Sequence, residues 1–235
     1  MATKKGGYYL KGTRHLEWAG LRCPSVTTIL NNAQNPGGLI HWAWQTGMDG
    51  KDYREERDVA AEIGTMAHKM AEEHARFGAT FDVDLVCKQF GVDSEKAEKA
   101  MTSFGAFMEW KRNSRLEITH QEIHLISEEY GFGGTFDAIV VNGRRAMGDW
   151  KTSSGIYPQH LAQVRAYGLL WEENYPDQMI DGGYHIIRFD RETGGFTHHY
   201  WPDFRDNDGN DQALDKFFNS LGVYNNDKFL KKLCK

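Results

Sequence analysis

The stretch over residues 133–151, GGTFDAIVVNGRRAMGDWK, constrains the fold of this 235-residue chain more than any other segment. Phe136–Val141 and Arg145–Lys151 predict two β-strands, because aromatic and β-branched runs flank an Asn-Gly turn. Asp137 and Asp149 lie inside these otherwise apolar strands. A buried carboxylate is costly unless a partner compensates its charge. A divalent cation held by oxygen ligands is one such partner, so the sequence raises the hypothesis of a metal site.

The length of the turn decides whether the two acids meet. A two-residue loop would place Asp137 and Asp149 on opposite faces of the sheet, since side chains alternate along a strand. A three-residue loop, over 142–144 or over 141–143, would place them on one face. Lys151 follows Asp149 by two positions and therefore shares its face. The metal hypothesis thus predicts a three-residue connection.

The order of an acid in one strand and D-x-K in the next resembles the PD-(D/E)xK nuclease superfamily. The wording GTFDA…DWKT resembles its RecB-like branch, which includes exonucleases of phages, bacteria and mitochondrial genome maintenance. Three further segments match the branch in the same order, so the resemblance extends by motif from Pro24 to Tyr167. They are PSVTTIL over 24–30, GTMAHKMAEEH over 64–74, and the Q-x-x-x-Y of Gln163 and Tyr167.

The resemblance implies a metal-dependent hydrolytic site containing one or two Mg²⁺ or Mn²⁺ ions. The implied metal ligands are His68, Asp137, Asp149 and the backbone carbonyl of Trp150. Lys151 would position or deprotonate the attacking water, or stabilise the phosphate. Glu122 would orient the lysine or a water, although a charge on an edge strand explains this residue equally well. The iron–sulfur subtype needs four clustered cysteines, and the chain has three scattered ones, so no cluster is expected.

His68 lies in the longest helical pattern of the chain, Asp52–Phe77. The predicted core stripe of this helix consists of Ile63, Met66, Met70 and Phe77. Small residues flank His68 and would allow another element or a ligand to come close. A lone helical histidine is more often structural, but the resemblance favours a metal ligand. Glu72, one turn later, is explained as well by the helix surface.

Six side chains are predicted to contact nucleic acid: Ser25, Thr27, Thr152, Ser153, Gln163 and Tyr167. Ser25 equally predicts a cap for the helix that follows it. The resemblance also gives Gln163 and Tyr167 a role in bracing the site. Trp42 and Trp44, in a short predicted helix over 39–47, are expected in the core rather than stacked on bases.

The element order predicts an α/β fold with a restriction-endonuclease-like core, in which helices flank a mixed central sheet. Residues 1–115 would form an N-terminal helical lobe that carries His68. Residues 116–235 would form the nuclease core, and the two parts together one structural unit. The C-terminal region predicts a second hairpin over 183–201, then helices over 212–221 and 227–233.

The composition is that of a soluble globular protein, with 40% apolar and 26% charged residues. No apolar run approaches the roughly 20 residues of a membrane span, and no secretory signal is apparent. An intracellular, reducing location is expected, such as the cytoplasm of a bacterium or a phage-infected host. The net charge of −5 disfavours a protein that coats nucleic acid but not a nuclease.

These observations predict a Mg²⁺- or Mn²⁺-dependent exonuclease in DNA repair, recombination or replication, with single-stranded DNA bearing free ends as substrate. A helicase, polymerase or recombinase would be a fitting partner. A structure-specific endonuclease is one alternative. A catalytically silent nucleic-acid-binding module is another, disfavoured because every matching motif keeps its chemically competent residue.

Overall fold

The computed structural model describes residues 7–10, 21–33, 37–78, 83–91 and 94–234. The strands are β1 (Gly7–Leu10), β2 (Leu21–Pro24), β3 (Glu117–Ser127), β4 (Phe132–Val141), β5 (Arg145–Lys151), β6 (Tyr184–Phe189) and β7 (Phe196–Trp201). The helices are α1 (Val26–Asn32), α2 (Gly37–Met48), α3 (Tyr53–Phe77), α4 (Val83–Phe90), α5 (Ser94–Asn113), α6 (Pro158–Asn174) and α7 (Gln212–Leu233).

A five-stranded mixed sheet in the order β3-β4-β5-β6-β7 forms the centre of the fold. Neighbouring strands are antiparallel except β5 and β6, which are parallel. Parallel neighbours need a crossover, and α6 supplies it between β5 and β6. The predicted α/β class with a mixed sheet is confirmed. β1 and β2 pair separately, and a bridge between Ser25 and Gly133 joins them to β4.

Helices cover both faces of this sheet because its strands present apolar side chains to both sides. One cluster joins α1, α6 and α7 to the sheet and includes Ile29, Ile139, Met147, Trp171 and Phe217. The other joins α3 and α5 to it and includes Ala71, Phe107, Trp110, Val140 and Trp150. Neighbouring positions of β5 thus enter different clusters, as a strand requires. Residues of the predicted N-terminal lobe (1–115) and of the predicted core (116–235) contribute to each cluster.

Several predicted elements are corrected by the structure. The two C-terminal helices are one continuous helix, α7, which Asp211 caps and which runs through Gly222 without interruption. Phe77 is 51% exposed and does not belong to the core stripe of α3. Trp42 and Trp44, expected in the core, are 38% and 57% exposed. In the N-terminal region, residues 1–6 and 11–20 lie outside the described residues.

None of the described helices combines the length and the apolar character that crossing a membrane would require.

Candidate metal centre

The β4–β5 connection has the three-residue form that a shared site needs. Val141 pairs with Arg145, which leaves residues 142–144 as the loop. Gly143 in this loop has a φ of 75°, a left-handed conformation that glycine adopts without steric cost. The ladder continues to the pair Ala138–Gly148, so the register places Asp137 opposite Asp149. The prediction of an odd-numbered loop is confirmed.

Asp137 of β4 contacts both the neighbouring strand β5 and the helix α3. Its Oδ2 accepts a hydrogen bond of 2.6 Å from the backbone N–H of Trp150. Its Oδ1 lies 3.3 Å from Nδ1 of His68 on α3. Burial alone would raise the pKa of Asp137, but His68, Lys151 and the Trp150 amide hold it below its usual value. The carboxylate is therefore kept charged and within reach of the α3 imidazole.

A third side chain, Glu122 of β3, completes a cluster around Asp137. Ligand atoms of His68, Glu122 and Asp137 all lie within 4.8 Å of one another. Glu122 lies between the pairs Gln121–Ala138 and Ile123–Phe136, and thus opposite Asp137. Its φ is 50°, a region that residues other than glycine rarely adopt. The unusual backbone directs attention to this glutamate as part of the site.

The electrostatics of the cluster are those of acids gathered around one base. Burial would lower the pKa of His68, but the Asp137 carboxylate, helped by Glu122, raises it to about 8. Burial and the charge of Asp137 raise the pKa of Glu122 to about 8 as well. Holding these acids together costs free energy unless a positive charge is shared among them.

Asp149 lies outside this three-residue cluster and is held by Lys151. Its Oδ2 is 2.5 Å from Nζ of Lys151. Its Oδ1 is buried and has no hydrogen-bond partner within the described part of the chain. Burial raises the pKa of Asp149 to about 6, although the Lys151 ammonium opposes this rise. A fully buried carboxylate oxygen without a donor is a ligand position available to a cation.

Helix α6 braces the lysine from the other side. Nζ of Lys151 donates to Oε1 of Gln163 at 3.2 Å, and Nε2 of Gln163 donates to the Tyr167 hydroxyl at 2.9 Å. Tyr167 is 4% exposed. A Cβ at Gly134 would lie 2.7 Å from the Tyr167 ring, so this glycine lets α6 lie directly on β4. These contacts have the geometry of the bracing that the resemblance implies, and contact of Gln163 and Tyr167 with nucleic acid stays a prediction.

The remaining predicted contact residues lie at two other places. Ser25 caps α1, since its Oγ accepts from the backbone N–H of Thr28 at 3.1 Å, and it also bonds the hydroxyl of Thr27. Thr152 abuts α3, because a Cβ at Gly64 would lie 2.9 Å from its Oγ1. The hydroxyl of Ser153 donates to the carbonyl of Gly155 at 2.8 Å. The predicted capping by Ser25 is confirmed.

One residue close enough to Lys151 to feel its charge, His160, was not anticipated from the sequence. It is buried in the first turn of α6, where Nδ1 accepts from the backbone N–H of Tyr157 at 3.3 Å. Burial, with the nearby charge of Lys151, lowers its pKa to about 4, so the imidazole is neutral. Its position three residues before Gln163, on the same helical face, is the pattern that would have identified it.

The donor set suits a hard or borderline divalent cation. The cluster offers two carboxylates and one imidazole, and the buried Oδ1 of Asp149 is a further oxygen with no partner among the described residues. Oxygen ligands with an imidazole fit Mg²⁺ or, better, Mn²⁺. The unpartnered Oδ1 of Asp149 is what a cation would satisfy. Glu72, which the sequence explained as well by the helix surface, forms an ion pair with Lys69, whose Nζ lies 2.9 Å from its Oε2. Ligation by the Trp150 carbonyl stays a prediction.

Comparisons with known proteins identify no relative from which a function follows. No family model and no curated protein matches the chain. A solved structure titled "Crystal structure of SSO0001" is similar over 73% of this chain and 74% of that chain. The sequences are 14% identical and the TM-score is 0.34. At that level of likeness neither a fold family nor a function follows.

Proposed function

We propose that the protein is a divalent-metal-dependent nuclease that hydrolyses phosphodiester bonds in DNA. The proposal rests chiefly on the unpartnered Oδ1 of Asp149, buried beside the His68–Glu122–Asp137 cluster. A fold that only binds nucleic acid has no need to bury acids at such cost. The motif resemblance supports the same chemistry and, with it, a restriction-endonuclease-like core.

In this proposal His68, Glu122, Asp137 and Asp149 hold the cation. A divalent cation there would acidify water and offset negative charge on the phosphate. The chain's own part is orientation: the Trp150 N–H fixes Asp137, and the Lys151 ammonium fixes one oxygen of Asp149. An uncharged partner could not balance so many acids in so small a volume.

Lys151 acts directly on the reacting groups in this proposal. A lysine ammonium has three donors. In the described structure one is directed at Asp149 and one at Gln163. A third remains for the phosphate oxygen or the attacking water. Because Gln163 and Tyr167 immobilise the side chain, this donor is oriented before the substrate binds.

Single-stranded DNA with free ends is the proposed substrate, and an exonuclease is the proposed type. The motif resemblance to the RecB-like branch, which includes exonucleases, supports this type. An intracellular role in DNA repair, recombination or replication, beside a helicase, polymerase or recombinase, fits this activity.

The test uses end-labelled linear and covalently closed circular single strands, with Mg²⁺ or with EDTA. We expect the linear strand to be degraded only with Mg²⁺ and the circle to survive. Asp149→Asn should lower the rate by about two orders of magnitude or more, the scale of losing one charge-stabilising group. Asp177→Asn, an exposed acid after α6, is the matched control and should behave as wild type.

Equal degradation in EDTA, or wild-type rates in Asp149→Asn, would refute the proposed function. Cutting of the circle would instead establish an endonuclease.

A further inference from the structure

A groove of about 660 Å³ lies beside the candidate metal centre, between the ends of several helices. Trp42 and Leu39 of α2 line one wall, and Tyr157 at the start of α6 lines another. Arg57 of α3 and Lys216 of α7 contribute the charged groups. None of these residues takes part in the metal centre.

The groove and the metal centre lie along one stripe of α3. Ala60 lines the groove, Gly64 contacts Thr152 just after β5, and His68 belongs to the metal cluster. Residues four apart share a helical face, and eight residues span about 12 Å. Ser154, three residues after Lys151, also lines the groove. A ligand lying in the groove is therefore aligned with the site along this helix.

The charge of the lining is opposite to that of the chain. The chain carries 33 acidic and 28 basic residues, yet the charged residues lining the groove are Arg57 and Lys216. Arg57 also pairs with its neighbour Asp58 at 2.7 Å, whereas Lys216 has no ion pair among the described residues. The groove thus favours an anionic ligand, with Lys216 as the more available cation.

The aromatic content of the lining narrows the class of anion. Trp42 is 38% exposed and Tyr157 is 46% exposed, although large aromatic side chains gain much from burial. Trp42 makes a single described ring contact, an edge contact with Tyr53 at 6.3 Å. Exposed aromatic rings beside cations are the pairing that unpaired nucleic acid uses, with bases on the rings and phosphates on the cations.

We infer that this groove binds an unpaired nucleic-acid strand, stacking bases on Trp42 and Tyr157 and holding phosphates with Lys216. Delivery of that strand to the metal centre rests on the proposed function, but binding in the groove does not. A duplex keeps its base faces stacked inside, so it gains nothing from these rings. The groove therefore confers a preference for single strands.

The test measures binding without hydrolysis, by fluorescence anisotropy of a labelled oligothymidine in EDTA. Trp42→Ala should weaken binding about 5- to 150-fold, the equivalent of losing one stacked base. Trp44→Ala is the matched control: it is on the same helix, 57% exposed and outside the groove lining, and should bind as wild type. Trp42→Phe should restore most of the affinity, because it keeps an aromatic face.

A second comparison tests the phosphate contact. Lys216→Gln should reduce the slope of log affinity against log salt by about 0.7, the value for each phosphate that a protein neutralises on a single strand. Lys228→Gln, on the same helix and outside the groove lining, should leave the slope unchanged. Wild type and Trp42→Ala should bind a blunt hairpin duplex with the same affinity.

The inference falls if Trp42→Ala binds the strand as tightly as Trp44→Ala. It falls also if sedimentation shows that wild type self-associates and Trp42→Ala abolishes this, because the groove is then an interface between copies. Trp42-dependent strand binding without any metal-dependent cutting would uphold the groove and refute the nuclease. Cutting with no Trp42 dependence of binding would do the reverse.

Discussion

Glu122 shows how a single residue carries strain into the candidate site. Its φ of 50° is the one positive value for a residue other than glycine in the described chain. Such conformations cost about 1–3 kcal/mol and persist where the surrounding structure imposes them. Here the conformation is found where the glutamate lies among the acids of the cluster. A residue retained at this cost is expected to serve binding rather than stability.

Glu122→Gln should therefore raise the stability of the metal-free protein. It removes an acid crowded against Asp137 and keeps the side-chain shape. Each kcal/mol gained should raise the melting temperature by about 2–4 °C in a chain of this size. The further rise on adding Mn²⁺ should shrink at the same time, because one ligand is removed.

Melting with and without Mn²⁺ measures both effects for Glu122→Gln. Glu117→Gln, an exposed position on the same strand, is the control and should change neither value. A metal-free loss of stability in Glu122→Gln, with the Mn²⁺ effect intact, would make the glutamate structural.

His68→Gln separates ligation from packing at the second member of the cluster. Burial would lower the pKa of His68, but Asp137 raises it to about 8, so His68→Gln should weaken Mn²⁺ binding and also lower metal-free stability at pH 7. The loss of metal-free stability should fade above about pH 8, where the imidazole is neutral, whereas the loss of Mn²⁺ affinity should persist. Calorimetric titration of Mn²⁺ into wild type and variant measures the affinity. His74→Gln on the same helix, where the ring meets Phe104, is the control. An unchanged Mn²⁺ affinity would exclude His68 as a ligand.

At the scale of elements, the contact of α6 with β4 holds the lysine in place. Gly134 allows the close approach, because a Cβ there would meet the Tyr167 ring at 2.7 Å and Leu170 at 3.1 Å. Moving the Tyr167 ring would disturb its hydrogen bond with Gln163, and Gln163 accepts a hydrogen bond from Lys151. A change in packing at this strand thus reaches the site through the helix.

Gly134→Ala should therefore destabilise the protein by about 1–3 kcal/mol through overpacking and lower activity beyond that loss. Gly105→Ala is the matched control, because nothing lies within 4 Å of its added Cβ. As a helix-interior position, it should gain up to about 1 kcal/mol. Denaturant unfolding and initial rates provide the measurements. Normal activity in Gly134→Ala would show that α6 does not position Lys151.

At the scale of the whole molecule, a hydrogen-bonded chain joins α5 to the last two strands. Nε1 of Trp110 donates to Nδ1 of His198 at 3.3 Å, and Nε2 of His198 lies 2.8 Å from Nδ1 of His185. An indole N–H only donates, so His198 must carry its proton on Nε2 and donate it onward. This arrangement requires both imidazoles to be neutral.

Lowering the pH should reduce the free energy of unfolding, because protonation breaks these hydrogen bonds. Burial, with the neighbouring His198, lowers the pKa of His185 to about 4. Between that value and the usual 6.5 the unfolded state binds more protons than the folded state. The stabilisation is therefore complete above about pH 6.5 and is lost as the pH falls towards 4. The loss is at most on the order of 3 kcal/mol.

Denaturant unfolding from pH 7 to 4.5 measures this effect. His185→Asn keeps an acceptor for His198 but does not titrate in this range, so its stability should depend less on pH than that of wild type. His199→Asn, at an exposed neighbouring position, is the control. If the free energy of unfolding depends equally on pH in wild type and His185→Asn, the hydrogen bonds among Trp110, His198 and His185 are not the cause.

Local chemistry determined much of this protein from the sequence alone. The bounds of β5 and the cap at Ser25 follow from the residue pattern of the strand and from capping preference. Each of these depends on residues within a few positions of one another. The sequence left both two-residue and three-residue loops open, and the observed pairing selects 142–144, which places Asp137 opposite Asp149.

Only the tertiary structure decided which groups meet across the molecule. Glu122 joins the cluster because β3 pairs with β4, and α3 brings in His68 from a distant part of the chain. Trp42 is exposed because the neighbouring helices form a groove and do not bury it. Contacts of this kind depend on how elements pack, and no spacing within a single element encodes them.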